Sequence, residues 1–151
     1  MISATIEFAN VLFAALLVGS MFGVWLVFNP AGVGASDYVT LQQQAIRGLN
    51  KSMPALGAAT ILLTIAAAVV GQAGGVRFRL LMGAAVCFAA AGLITRFLNQ
   101  PINAIVMTWS SGAMPSNWAG LRDAWWRWHL VRLAAGIGGL SLLIVATIRR
   151  A

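Results

Sequence analysis

The chain has 151 residues, 60% of them apolar and 9% charged, against about 45–50% and about 25% for an average soluble domain. That balance excludes an ordinary water-soluble domain and a disordered chain. One cysteine, one histidine and three acids exclude a disulfide scaffold and a multi-ligand zinc or iron site. The net charge of +7 is scattered between apolar stretches, which fits anchoring of helix ends in a membrane and argues against nucleic-acid binding. No glycine-rich phosphate-binding motif follows a strand-like run. Taken in chain order, the first apolar run, 8–28, carries no charge and stops at Asn29-Pro30. It is long enough to span a bilayer. The preceding residues lack a positive charge and include Glu7, so the run is expected to be a retained helix rather than a signal peptide.

Residues 38–53 are mixed, with Leu41, Ala45, Leu49 and Met53 in one stripe. This predicts a short amphipathic helix at the membrane interface. Pro54 marks a boundary, and 55–70 is a second, slightly short span. Gly71, Gly74 and Gly75 predict a tight turn, followed by a third span at 80–98. A loop at 110–117 leads to a second amphipathic segment, 118–129, and a fourth span, 130–148, ends at Arg149-Arg150. The runs show no period-2 alternation, so a barrel is excluded. The predicted fold is all-α: one domain, an integral membrane four-helix antiparallel bundle with two short amphipathic interfacial helices.

Gly19-x-x-x-Gly23 and Ala135-x-x-x-Gly139 predict close helix packing, and the first pair would also suit a homo-oligomer contact. Glu7 lies near Arg77 and Arg79 in this layout, so an interfacial ion pair or a solvated carboxylate is expected. Four spans put both termini on one side. Arg77, Arg79, Arg149 and Arg150 share that side, against Arg47, Lys51, Arg122 and Arg127 on the other. The basic count ties. Giving the second group another task places both termini in the cytoplasm.

Polar residues gather at one end. Arg96, Asn99 and Asn103 follow i, i+3, i+7 spacing, with Pro101 between them expected to loosen the local hydrogen bonding. Trp118, Arg122, Trp125, His129 and Arg132 form a second stripe, at steps of 4, 3, 4 and 3. In lipid such stripes should face the bundle interior. Two readings stay open: an interfacial belt of Trp and Arg, or a ligand site between helices. In the second, Trp125 stacks on an aromatic ligand, His129 acts as base or donor, Arg132 holds an anionic oxygen, and Asn99 and Asn103 donate to an enolate-like oxygen. Trp126 and Trp128 point away from that face and suit a belt.

The run Asn99-Gln-Pro101-Ile-Asn103, then Trp118, then Trp125-Trp-Arg-Trp128-His129-Leu-Val-Arg132 resembles the anthrone-oxygenase-like family of small membrane proteins. The segment Asn50-Lys-Ser-Met-Pro54 resembles that family's second conserved block. The likeness covers most of the chain and implies four spans. It also implies oxidation of an apolar aromatic, anthrone-like substrate by molecular oxygen; an anthrone anion can pass an electron to oxygen directly, so neither metal nor flavin is expected. The likeness carries over Asn99, Asn103, Trp125 and Arg132; taken with the two stripes, catalytic roles are expected for His129, Asn103, Asn99 and Arg132, and substrate contacts for Trp125, Trp118, Arg122, Arg96 and Asn50. The chain departs from the family at one point: His129 stands where many members have Asn, and Leu130 where they have His. One residue is about 100° around a helix. The alternative is a membrane protein binding haem or a quinone, with His129 as an axial haem ligand and Met53 or another subunit's His as the second, or a small non-catalytic subunit of a membrane complex.

Overall fold

The computed structural model describes residues 2–70, 75–110 and 112–149. It contains helices α1 (Ile2–Val27), α2 (Ala35–Leu49), α3 (Ser52–Val70), α4 (Gly75–Ile94), α5 (Gln100–Val106) and α6 (Trp118–Ile148). No strand forms among the described residues. Four helical stretches are long and apolar enough to cross a membrane: α1, α3, the continuous stretch Gly75–Val106, and α6. The expected four-span, all-helical architecture is present.

The helices pack in a square, α1 against α3 and α6, and α4 against α3 and α6. Each neighbour runs antiparallel. Asn10 of α1 meets Thr64 of α3, and Asn99 meets Trp125 at the far end. One core layer is built from Leu17, Val18, Met21, Leu81, Phe88 and Leu133. A second, around Tyr38, Ile46, Val106, Trp109 and Trp125, lies at the end where α2 packs on α5.

The helix limits differ from the expected ones where a polar residue finds a partner. α1 starts six residues before the predicted span because Glu7 is answered inside the bundle. Its Oε1 accepts from Arg77 Nη2 at 2.7 Å and from Ser3 Oγ at 3.2 Å. That is the expected ion pair. α3 starts at Ser52, so Pro54 sits in its first turn, where a missing N–H costs nothing. The third span runs past its predicted end at 98. The segment Thr95–Asn99 forms a π turn, with the Gln100 N–H donating to the Thr95 carbonyl five residues back. Pro101 lacks the N–H that would bond to Phe97, and its ring crowds that carbonyl, so the wider turn is the local solution. The segment 118–129 is not a separate interfacial helix: it forms the first turns of the 31-residue α6. The tight turn expected at Gly71, Gly74 and Gly75 lies mostly outside the described residues. Gly75 itself opens α4 at φ +55°, a left-handed geometry that favours glycine.

Of the two small-residue pairs, one packs as expected. A Cβ on Gly139 would meet the Phe88 ring at 2.9 Å and Cys87 Cβ at 3.1 Å, so α4 and α6 touch through this glycine. Gly19 and Gly23 meet nothing within 4 Å of an added Cβ and so make no close contact within the chain. Gly139→Leu is expected to destabilise the bundle by about 1–3 kcal/mol, the usual cost of overpacking. Gly19→Leu should leave the unfolding midpoint in detergent unchanged. Equal midpoints for the two variants would refute the tight α4–α6 contact.

Candidate functional site

The polar end of the bundle is organised around three side chains: Asn103, Arg132 and His129. Asn103 projects from α5 between α2 and α6. The Trp125 indole N–H can only donate, so it fixes the amide orientation. Trp125 Nε1 donates to Asn103 Oδ1 at 2.8 Å, and Asn103 Nδ2 donates to Asn50 Oδ1 at 3.1 Å. Gln42 Nε2 of α2 approaches the same Oδ1 at 3.4 Å. Asn99 is fully buried and donates from Nδ2 to the Trp125 carbonyl at 3.0 Å, tying the π turn to α6.

Arg132 lies one turn below. Its Nε and Nη2 approach His129 Nδ1 at 3.2 and 2.9 Å, and its Nη1 donates to Thr95 Oγ1 at 3.2 Å. A guanidinium only donates, so His129 Nδ1 must be the acceptor and the ring proton resides on Nε2. The imidazole is held between two indoles. Trp125 stacks on it at 5.3 Å and 6°, and Trp126 at 5.4 Å and 15°. Neither of the two ion pairs among the described residues includes Arg132. Its charge is met only by neutral partners.

Two cavities meet at this cation. The first, about 230 Å³, lies between α1, α3 and α4 and is walled by Leu17, Ile61, Phe88 and Ala91, with Thr95 and Arg132 at its polar edge. The second, about 150 Å³, lies between α1, α2 and α3, and there Val24, Phe28, Leu41 and Trp125 face Asn50 and Asn103. Met21, Met53, Pro54, Thr95 and Arg132 line both. Each alone is smaller than an ordinary ligand site of about 300–1,000 Å³, and only a ligand spanning both would reach the lower part of that range. The two methionines on the shared wall are flexible fillers able to adapt to a guest.

The sequence-derived candidates separate into groups. Asn50, Asn103, Trp125 and Arg132 come together on the cavity walls. Asn99 and His129 are buried behind that wall and line neither cavity. His129 spends its Nδ1 lone pair on Arg132, which makes it a positioning group for the cation rather than an exposed base. Its Nδ1 is taken by Arg132 and its Nε2 faces the Met21 backbone, so neither ring nitrogen is open to a cavity. Arg96 is not on the Asn99–Asn103 face. It is exposed, donates to Gln100 Oε1 at 3.3 Å and borders only the first cavity. The π turn breaks the i, i+3, i+7 register on which that placement rested. Arg122 and Trp118 are also off the cavities. The guanidinium pairs with Asp123 at 2.9 Å and covers the Trp118 ring at 4.9 Å. Trp126, expected in a belt, stacks on His129, whereas Trp128 is exposed as expected. The stripe Leu41, Ala45, Leu49 and Met53 borders the second cavity rather than forming only a lipid-facing edge.

Gln42, Thr95 and Met21 complete the site but carry no individual sequence signal. Gln42 is one of three consecutive glutamines, and only the fold shows that it is the buried one.

Tyr38 closes the outer end, packed on Trp118 at 5.9 Å and Phe28 at 6.4 Å. Burial, opposed by Arg122 and reinforced by Asp123, pushes its phenol up to about 12. It is the single tyrosine, so absorbance near 295 nm reads it alone. The titration midpoint is expected close to 12. The raised folded-state value means that stability is intact below pH 10 and is lost as pH climbs from 10 towards 12. A midpoint at the free-tyrosine value would show the ring to be solvated.

Residues 43–142 match the family described as anthrone oxygenase. The chain belongs to the anthrone oxygenase family. The matched region holds Asn50, Asn103, Trp125, His129 and Arg132, while the α1 wall of the cavities lies outside it. No curated protein and no solved structure matches the chain. Within the matched region His129 is fully buried and Leu130 points outward, 37% exposed.

Proposed function

We propose that this chain is a membrane-embedded oxygenase for a flat, apolar, anthrone-like substrate, using molecular oxygen without metal or flavin. The observation that carries the reading is Arg132: a cation with only neutral partners, on the wall shared by two adjoining apolar cavities. A charge so placed is costly in a membrane protein unless it has a task. An enolate oxygen would complete it.

The chemistry balances with the substrate as reductant. The methylene carbon of the anthrone loses a proton, and the negative charge spreads onto the carbonyl oxygen. Dioxygen adds at that carbon and takes up a proton to give a hydroperoxide. Loss of water then leaves the second quinone carbonyl. Arg132 favours the anion from which this sequence starts, and preorganised charge of that kind is usually the largest catalytic contribution. His129 and Thr95 hold the guanidinium, Trp125 offers an aromatic wall, and Asn50 and Asn103 supply polar contacts at the opposite edge. Among the described residues no carboxylate or free imidazole lines the cavities, so on this reading the proton leaves to solvent or a bound water. The haem alternative is disfavoured because the His129 Nδ1 is taken by Arg132 and the residue lines neither cavity.

The location goes with this reading: a cytoplasmic membrane, both termini in the cytoplasm. The test is dioxygen uptake by the purified chain in lipid nanodiscs with anthrone, together with an absorbance spectrum. One quinone formed per dioxygen consumed, in a protein showing only aromatic absorbance, is the expected result. Uptake no faster than in empty nanodiscs would overturn it, and a Soret band would favour haem.

A further inference from the structure

We infer that the first cavity is a side opening to the lipid, and that Gly57, Ala58 and Gly92 are the portal through which a membrane-dissolved aromatic reaches Arg132. The inference rests on the proposed substrate class only for what travels through it. Two observations carry it. The cavity wall includes Ala58 of α3 and Gly92 of α4, both exposed on the outer face of the bundle. Both belong to helices apolar enough to lie in hydrocarbon, so the mouth faces lipid rather than water.

The second observation is that packing does not require these glycines. A Cβ on Gly57 or Gly92 meets nothing within 4 Å, whereas one on Gly139 or Gly83 meets a neighbouring helix at 2.9 or 3.3 Å. Glycine at 83 and 139 lets helices touch. Glycine at 57 and 92 keeps a gap open, at a cost in helix propensity of about 1 kcal/mol each. Beyond the gap the path is apolar along Leu17, Ile61 and Phe88 until Thr95 and Arg132. A flat neutral molecule can follow it and meet the cation only at its inner end. Arg96, joined to Gln100 at the rim, stands on the polar side of the mouth and bars a direct route for water-borne cations.

The test uses a phenyl trifluoromethyl diazirine dissolved in phosphatidylcholine vesicles that hold the full chain, with adducts mapped by mass spectrometry. Leu17 and Phe88 line only the first cavity and are 6% and 1% exposed, so lipid alone cannot reach them. The wild-type chain is expected to carry adducts there as well as at outward Leu12 and Leu16. Gly92→Trp and Ala58→Trp, which obstruct the mouth from opposite walls, should lose the Leu17 and Phe88 adducts and keep those at Leu12. Retained Leu12 labelling reports a folded, inserted chain, and two variants guard against misfolding of either. Wild-type adducts confined to Leu12 and Leu16, or inner adducts unchanged in both variants, would overturn the portal. Labelling as expected in a chain that oxidises no anthrone would sink the substrate reading and leave the portal standing.

Discussion

Arg132→Leu is expected to abolish anthrone oxidation while leaving the unfolding midpoint unchanged or raising it. The loss of rate should be on the order of 10²–10³-fold, the cost of deleting one principal donor to a developing oxyanion. Stability should move the other way because nothing among the described residues neutralises this cation. Its partners are the His129 Nδ1 and the Thr95 hydroxyl. Replacing an unpaired buried charge by a well-packed apolar side chain relieves a desolvation cost. Arg132→Lys separates charge from geometry. The lysine keeps the positive charge but cannot bond His129 and Thr95 together through one planar fork, so intermediate activity is expected. Dioxygen consumption and thermal melts on the same preparations check this. A fall in midpoint parallel to the fall in rate would make Arg132 a structural tie instead.

Asn103→Leu is expected to destabilise the polar end by about 1–3 kcal/mol, the cost of leaving buried polar groups unpaired. It removes the acceptor for the Trp125 indole at 2.8 Å and the donor to Asn50 at 3.1 Å. Gln42, fully buried, loses its approach to the same amide and already has an unpaired Oε1. The substrate should feel this as a higher KM, because Trp125 forms the aromatic wall. Asn50→Ala breaks one of these contacts and should cost less. The double variant should cost less than the sum, since both residues serve one network. Additive effects on the midpoint would show that Asn103 does not unite the two.

Most of the architecture was legible because lipid leaves few options. Long uncharged runs must be helices, and Pro or Gly at their ends stops them. The errors came where a hydropathy dip was taken for a helix boundary. Arg96, Gln100 and Pro101 made 99–106 look like an exit from the membrane, yet the helix continues through a π turn that Pro101 itself favours. The Trp-rich stretch before Leu130 looked like a separate interfacial piece for the same reason. The site was legible on α6, where the stripe follows a regular helical period, so Trp125, His129 and Arg132 fell on one side as expected. Around the π turn that period fails, and Arg96 was misplaced. Arg122 was misplaced for a different reason: its adjacent Asp123 and Trp118 offer local partners that periodicity does not weigh. The α1 and α3 walls, Met21 among them, were not legible because an apolar side chain lining a cavity looks the same in sequence as one packed in a core.

The uninterrupted length of α6 sets the depth of the chemistry. Its 31 residues rise about 46 Å at 1.5 Å per residue, well beyond the about 30 Å of a hydrocarbon slab. Measured up from Ile148, Arg132 stands about 24 Å along the axis, and Trp125 and Asn103 rise towards the headgroups. Arg132 therefore sits just beneath one membrane boundary. On the proposed function, oily reactants would arrive from the side, within the fatty layer that dissolves them. Protons and water would depart across a short distance into the aqueous phase above. The two streams would use different exits, so such a protein need not bring a greasy molecule into water or carry a proton through the width of the bilayer.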